Sequence, residues 1–289
     1  MTIRTILAPL SGTETDGPRL KLAFAAARRL GAHVDVLFTR LDPADAVPVV
    51  GEGMSSAVID QLVASAEQET HRRRAAARHH FEAALAHFGI SPHDTPPGPG
   101  GPTAAWEERV GREEALVRRQ CAVADLVVLG HEPGPEENLQ LTLTLEAALM
   151  HGGRPVLLAP AAPPDPVGTI AAIAWDGGPQ CARAVSGALP FLHAAEMVHV
   201  LGASTGHADP DAPDALVDYL AWHGIDARAH RIDPGNARVG EVLLETASAF
   251  GADLFVMGAY SHSRMRELIL GGVTRFVLAN AGLPVLMAH

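Results

Sequence analysis

The chain has 289 residues, 47% hydrophobic but only 4% aromatic, enough to fill a sizeable core built from the Ala, Val, Leu and Ile that pack helices onto sheets. Its formal net charge of −11 gives no basic footprint for a nucleic-acid backbone and argues against DNA or RNA as a partner. No apolar run approaches the roughly 18 residues that cross a bilayer, and MTIRTILAPLSG lacks the layout of a signal peptide, so a cytoplasmic protein without a membrane partner is expected.

The first element in chain order is the apolar strand within IRTILAPLSG, from Ile3. Between Leu41 and Gly101 comes a long helix rich in Ala, Arg and His, about Ser56 to Phe88, and then the loop SPHDTPPGPGGP. Its Arg72-Arg73-Arg74 run reads as a solvated face offset by Glu67, Glu69 and Glu82. ADLVVLG, Ala124 to Gly130, is a buried strand, and RPVLLAP, Arg154 to Pro160, holds another. LQLTLTL, Leu139 to Leu145, alternates as a strand does, but the internal repeat puts a helix there and decides the assignment. The proline-rich APAAPPDPVG, Ala159 to Gly168, cannot hold regular structure and reads as a linker.

Past the linker the sequence starts again. TIAAIAWDGG from Thr169 answers IRTILAPLSG and sets Asp176 against Leu10. ADLVVLG returns as ADLFVMG, Ala252 to Gly258, and RPVLLAP as LPVLMAH, Leu283 to His289, with Ala-to-Pro spacings of 155 − 124 = 31 and 284 − 252 = 32. A tandem duplication follows, with domains over 1–160 and 168–289. In the second half the strands are Thr169 to Trp175, Met197 to Leu201, Ala227 to Ile232, Leu254 to Met257 and Pro284 to Met287. The helices are Pro179 to His193, with Cys181, Val185, Ala188 and Leu192 on one face, then Asp211 to His223, Ala237 to Phe250 and Met265 to Asn280. Strict alternation of helices with nearly continuous apolar strands predicts an α/β fold: two tandem doubly wound parallel five-stranded sheets, order 3-2-1-4-5, with helices on both faces.

In such a sheet the ligand crevice lies outside the carboxyl ends of the first and fourth strands, where the strand order reverses. That brings Asp176 beside Gly258. An Asp there accepts hydrogen bonds from a ribose or adenine, and Gly258 is expected to leave the sheet with φ > 0 and admit a ligand to the backbone. The chain then runs through AYSHSRMRELIL to Gly271-Gly272-Val273-Thr274 and a helix, whose free N–H groups and dipole favour an anion. Ser261, Ser263 and Thr274 offer hydroxyls and Arg264 a charged fork. Structural roles compete with these: Asp176 as the turn or cap residue before a helix, and Gly271-Gly272 as close packing at a helix start. The 15 histidines show no metal-ligand spacing. Cys121 and Cys181 fall one in each half without a CxxC and read as reduced thiols on helices, and no GxSxG elbow occurs, so neither a metal nor a catalytic residue is expected.

The second half resembles a universal stress protein domain. Nucleotide-binding members of that family carry G-x2-G-x9-G-(S/T) after strand four and an Asp at the end of strand one. Here Gly258 matches the first glycine, Gly271 the last across His262 to Leu270, and Asp176 the Asp. Ser261 replaces the middle glycine and Gly272 the hydroxyl residue, with Thr274 restoring a hydroxyl two positions on. The resemblance covers nearly the whole chain as a tandem architecture. It implies ATP or another adenine nucleotide such as AMP bound in the second half by Asp176, Gly258, Ser261, Arg264, Gly271, Gly272 and Thr274. The protein would be a sensor or regulator in a stress response, with at most slow ATP hydrolysis, since no general base or metal-ligand pair stands beside the phosphates.

The first half departs further from the pattern. Leu10 takes the place of Asp176, and the loop HEPGPEENLQ sets Glu132, Glu136 and Glu137 where phosphate oxygens would lie. This half is expected to bind no nucleotide and to serve as a packing partner. The resemblance also implies an intramolecular pseudo-dimer through the fifth strands, Pro155 to Ala159 and Pro284 to Ala288, whose apolar edges need cover. A homodimer through the long helix is a further expectation. A reading from a different class remains beside the first: an interaction module of the same fold that binds no nucleotide.

Overall fold

The computed structural model describes residues 2–40, 56–96, 100–131, 139–204, 211–259 and 272–289. The first repeat comprises β1 (Thr5–Leu10), α1 (Asp16–Leu30), β2 (His33–Arg40), α2 (Ser56–Phe88), β3 (Ser91–Pro92), β4 (Thr103–Val110), α3 (Glu113–Gln120), β5 (Leu126–Gly130), α4 (Leu139–Glu146) and β6 (Val156–Ala159). The second comprises β7 (Ile170–Ala174), α5 (Pro179–Ala194), β8 (Met197–Ala203), α6 (Ala212–Trp222), β9 (Ala227–Ile232), α7 (Val239–Ala249), β10 (Leu254–Gly258), α8 (Gly272–Asn280) and β11 (Val285–Ala288). LQLTLTL is helical, as α4. Leu145 is buried and Leu141 packs beside it in a core shared with Leu116 and Val117 of α3 and Val127 and Leu129 of β5, and the tertiary packing overrides the local alternation.

The expectation was two five-stranded sheets meeting through their fifth strands. Among the described residues the strands form one sheet of eleven, ordered β3-β4-β2-β1-β5-β6-β11-β10-β7-β8-β9. Within each repeat the order runs third, second, first, fourth, fifth, with β4 the third full strand of the first repeat and the two-residue β3 added outside it. The sheet is continuous because β6 and β11 pair antiparallel, Val285 opposite Leu158, Leu286 opposite Leu157 and Met287 opposite Val156. Each VLLA-type strand thereby covers the backbone edge of the other, an edge that would otherwise present unpaired amides and carbonyls.

Side-chain alternation along these strands divides the interior into two cores, one on each face. Leu126, Val128, Leu157, Leu254, Val256 and Leu286 belong to one. Val127, Leu129, Val156, Leu158, Phe255, Met257, Val285 and Met287 belong to the other. Both cores run across the junction between repeats. The same face also carries direct bridges, with the Arg29 guanidinium donating to the carbonyls of Gly168 (2.9 Å) and Ala194.

The repeated Asp-Leu of ADLVVLG and ADLFVMG has a structural cause. Asp253 accepts the N–H groups of Thr169 and Ile170, each at 3.0 Å. Asp125 accepts those of Arg4 (2.8 Å) and Thr5 (3.1 Å). Each carboxylate satisfies the backbone donors that open the first strand of its repeat, tying that strand to the fourth.

The crossover helices account for more than half of the length difference between the repeats: α2 has 33 residues where α6 has 11. Ala77, Phe81, Ala84 and Phe88 recur at helical spacing and are buried. Phe81 and Phe88 set their rings edge-on to Phe24 of α1 at 6.2 and 6.0 Å. The arginine run is partly tied down. Arg72 and Arg73 meet Glu69 at 2.6 and 2.7 Å, whereas Arg74 reaches across to Glu108 on β4 at 2.8 Å.

Candidate functional site

In the second repeat Ile173 of β7 lies opposite Val256 of β10, so the loop after β7 leaves the sheet level with the end of β10. Asp176 is exposed there. Its Oδ1 accepts the Gly178 N–H at 2.7 Å, and Gly177 between them sits at φ 75°, a left-handed conformation that favours glycine. Pro179 then starts α5, where its missing N–H costs nothing. Asp176 thus has a turn-forming role in addition to its position at the crevice.

Gly258 does not have the positive φ expected of it; it is the last residue of a regular strand. Its need is space. A Cβ at that position would lie 2.7 Å from the backbone N of Cys181 and 2.9 Å from Cβ of Gln180, so the first turn of α5 sits directly on β10. The Cys181 thiol points back at the Ala174 carbonyl at 3.5 Å. Burial, and after it the negative charge of Asp176, pushes it up to about 12.

Gly272 opens α8, is exposed, and has nothing among the described residues within 4 Å of its Cβ position. Thr274 is 5% exposed and, like Val277 three residues on, is buried on α8. Ser261, Ser263, Arg264 and Gly271 lie outside the described residues. The structure therefore brings Asp176, Gly258 and the start of α5 together at the mouth of the sheet. Gln180 was not singled out from sequence, and Cys181 was read only as a reduced thiol on a helix face, because their contact with Gly258 is made across the fold. The indole N–H of Trp175, beside Asp176, is buried with no acceptor among the described residues.

The first repeat is built differently at the matching place. Asp125 bonds Arg4 and Thr5 as Asp253 bonds Thr169 and Ile170, which sets Thr5 against Ile170 and therefore Ser11, not Leu10, against Asp176. Leu10 is a fully buried core residue. The loop amides are filled from within: the buried Asp16 carboxylate accepts Gly12 N–H at 2.8 Å and Ser11 N–H at 3.4 Å, with Arg19 at 3.8 Å. Arg19 also donates to the Pro9 carbonyl. Above this loop passes α2, so close that a Cβ on Gly12 would fall 2.5 Å from the Arg73 carbonyl oxygen. Glu132, Glu136 and Glu137 lie outside the described residues.

Titratable pairs elsewhere do not converge on either mouth. His199 on β8 and His230 on β9 bring Nδ1 and Nε2 to hydrogen-bonding distance, 3.0 Å, and both rings pack on Phe250. Burial holds both below the usual imidazole value. Among the described residues no group of three or more His, Cys, Asp or Glu is arranged to hold a metal ion, and no helix is long and apolar enough to cross a membrane.

Comparison with known proteins agrees with this architecture. Residues 171–289 match the universal stress protein family. Over 99% of its length the chain superposes on 96% of a universal stress protein structure from Archaeoglobus fulgidus, with a TM-score of 0.68 and 15% identity. A putative universal stress protein from Pseudomonas aeruginosa is similar over 99% of this chain and 93% of that one, with a TM-score of 0.57 and 17% identity. A Pseudomonas aeruginosa protein described as functionally unknown is similar over 99% and 92%, with a TM-score of 0.56 and 17% identity. The curated proteins gave no match. Residues 171–289 thus match the universal stress protein family, and over its whole length the chain has the fold of the Archaeoglobus structure.

Proposed function

We propose that the protein is a sensor or regulator that binds an adenine nucleotide, ATP or AMP, in its second repeat only. The observation that carries this reading is the exposed carboxylate of Asp176 at the strand-order reversal, in the half that matches the family, level with the end of β10. Asp176 would accept from the nucleoside. The open amides at Gly272 would face the phosphates, with Gly271, Ser261 and Arg264 completing the path and Thr274 supporting α8 from its buried side. In the first repeat Asp16 and α2 occupy the corresponding mouth, which favours one nucleotide per chain.

One pair of observations favours the other reading, an interaction module without nucleotide: packing alone accounts for Gly258, and the turn accounts for Asp176. Isothermal titration with ATP, AMP and cyclic AMP separates the two. Saturable heat with one site per chain, lost in Asp176→Ala, supports nucleotide binding. No heat and no thermal shift with any of the three leaves the interaction module.

A further inference from the structure

The first repeat holds a half-open cavity of about 630 Å³, within the range of small-molecule sites. It lies at the β1 mouth, over Ser11 and Thr13 of the loop whose amides Asp16 fills, between α2, the end of β2, the start of α3 and α4. Ala66 of α2 and Leu143 of α4 give it apolar walls, and the hydroxyls of Thr39 and Thr70 and the amide of Gln140 line the rest.

Its charged lining consists of Arg40, Arg73 and Arg112 with Glu69, Glu113 and Glu114. Glu69 is held by both Arg72 and Arg73, and Glu114 receives Gln140 at 3.4 Å and Arg112 at 3.9 Å. Glu113 accepts the Thr144 hydroxyl at 3.1 Å, and burial pushes its carboxyl above the usual range, with the charges of Asp16 and Glu114 adding to the shift. Arg40, half-buried in the wall, forms no ion pair within 4.0 Å among the described residues. The carboxylate whose field it adds to, Glu108, is already occupied by Arg74 at 2.8 Å and Trp106 Nε1 at 3.0 Å. A guanidinium that lines a half-open, largely apolar space and has no carboxylate within 4.0 Å among the described residues is arranged for a planar anion attached to an apolar body.

We propose that this cavity is a second binding site, independent of any nucleotide site, for a small organic carboxylate whose anionic end pairs with Arg40 and whose ring or chain lies along Ala66 and Leu143. The probes are 1-naphthoate and its neutral counterpart 1-naphthamide, titrated into the full chain and followed by ligand-observed NMR and calorimetry. The carboxylate is expected to bind at one site at least about tenfold more tightly than the amide, as loss of a charge-assisted pair predicts. Arg40→Gln should erase that preference, Ala66→Phe should abolish binding by filling the space, and neither Asp176→Ala nor excess ATP should alter it. Equal binding of acid and amide, no binding of either, or loss of binding in Asp176→Ala overturns the proposal. The acid–amide comparison on the unaltered protein decides the matter even where a variant fails to fold.

Discussion

Gly258 and Cys181 meet so closely that a Cβ on the glycine would lie 2.7 Å from the Cys181 amide nitrogen and 2.9 Å from its sulfur. The first repeat makes the same approach, Gly130 against Thr15, where the added Cβ would fall 2.8 Å from the Thr15 Cβ. A glycine at the end of the fourth strand is therefore a packing requirement in both halves. Gly258→Ala is expected to cost about 1–3 kcal/mol by overpacking. Urea denaturation measures it; a variant of unchanged stability would show that α5 yields at no cost.

The carboxylates that tie strand four to strand one make a second prediction. Asp253→Ala leaves the Thr169 and Ile170 amides without their acceptor and should destabilise the fold by about 1–3 kcal/mol. Asp176→Ala, which removes one exposed turn contact, should cost about 1 kcal/mol or less. Chemical denaturation of the two variants side by side checks the order, and equal losses would contradict it.

His199 and His230 predict a pH dependence. Their folded-state values lie below 6.5, chiefly through burial, with Arg228 opposing protonation of both and each ring facing the other over Phe250. The unfolded chain therefore binds protons that the folded chain refuses, and stability rises with pH across that interval. The contribution is complete above the unfolded value near 6.5 and is lost as pH falls through the folded values. Urea midpoints measured from pH 7.5 to 5 should fall, and His230→Gln should flatten the slope. A midpoint in His230→Gln that falls as steeply as in the unaltered chain would assign the dependence to other groups.

The Cys181 thiol, raised to about 12, should not be alkylated in the folded protein at pH 8. Mass spectrometry after iodoacetamide treatment should find Cys181 modified only on denaturation. Rapid labelling of the native chain would show that the α5–β10 junction opens.

Much of this fold is legible in the sequence, and the failures have physical causes. The duplicated ADL motifs locate the fourth strands because Asp125 and Asp253 each do the same hydrogen-bonding work. The runs VLLA and VLMA announce edges in need of cover, and they pair with each other. The match of Leu10 to Asp176 is off by one residue. A strand buried on both faces has no polar alternation to fix its register, and a slip there changes nothing in the apolar pattern. The closeness of Gly258 to α5, the burial of Thr274 and the roof that α2 lays over Gly12 depend on helix placement, which residues distant in sequence decide.

The most direct test of nucleotide binding in the second repeat is a crystal structure of the full chain grown with AMP or ATP. One nucleotide per chain is predicted, its nucleoside against Asp176 and its phosphate toward Gly272 at the start of α8, with none at the Ser11–Gly12 loop. Protein side chains filling the space between Asp176 and Gly272, or a nucleotide seated in the first repeat, would contradict it.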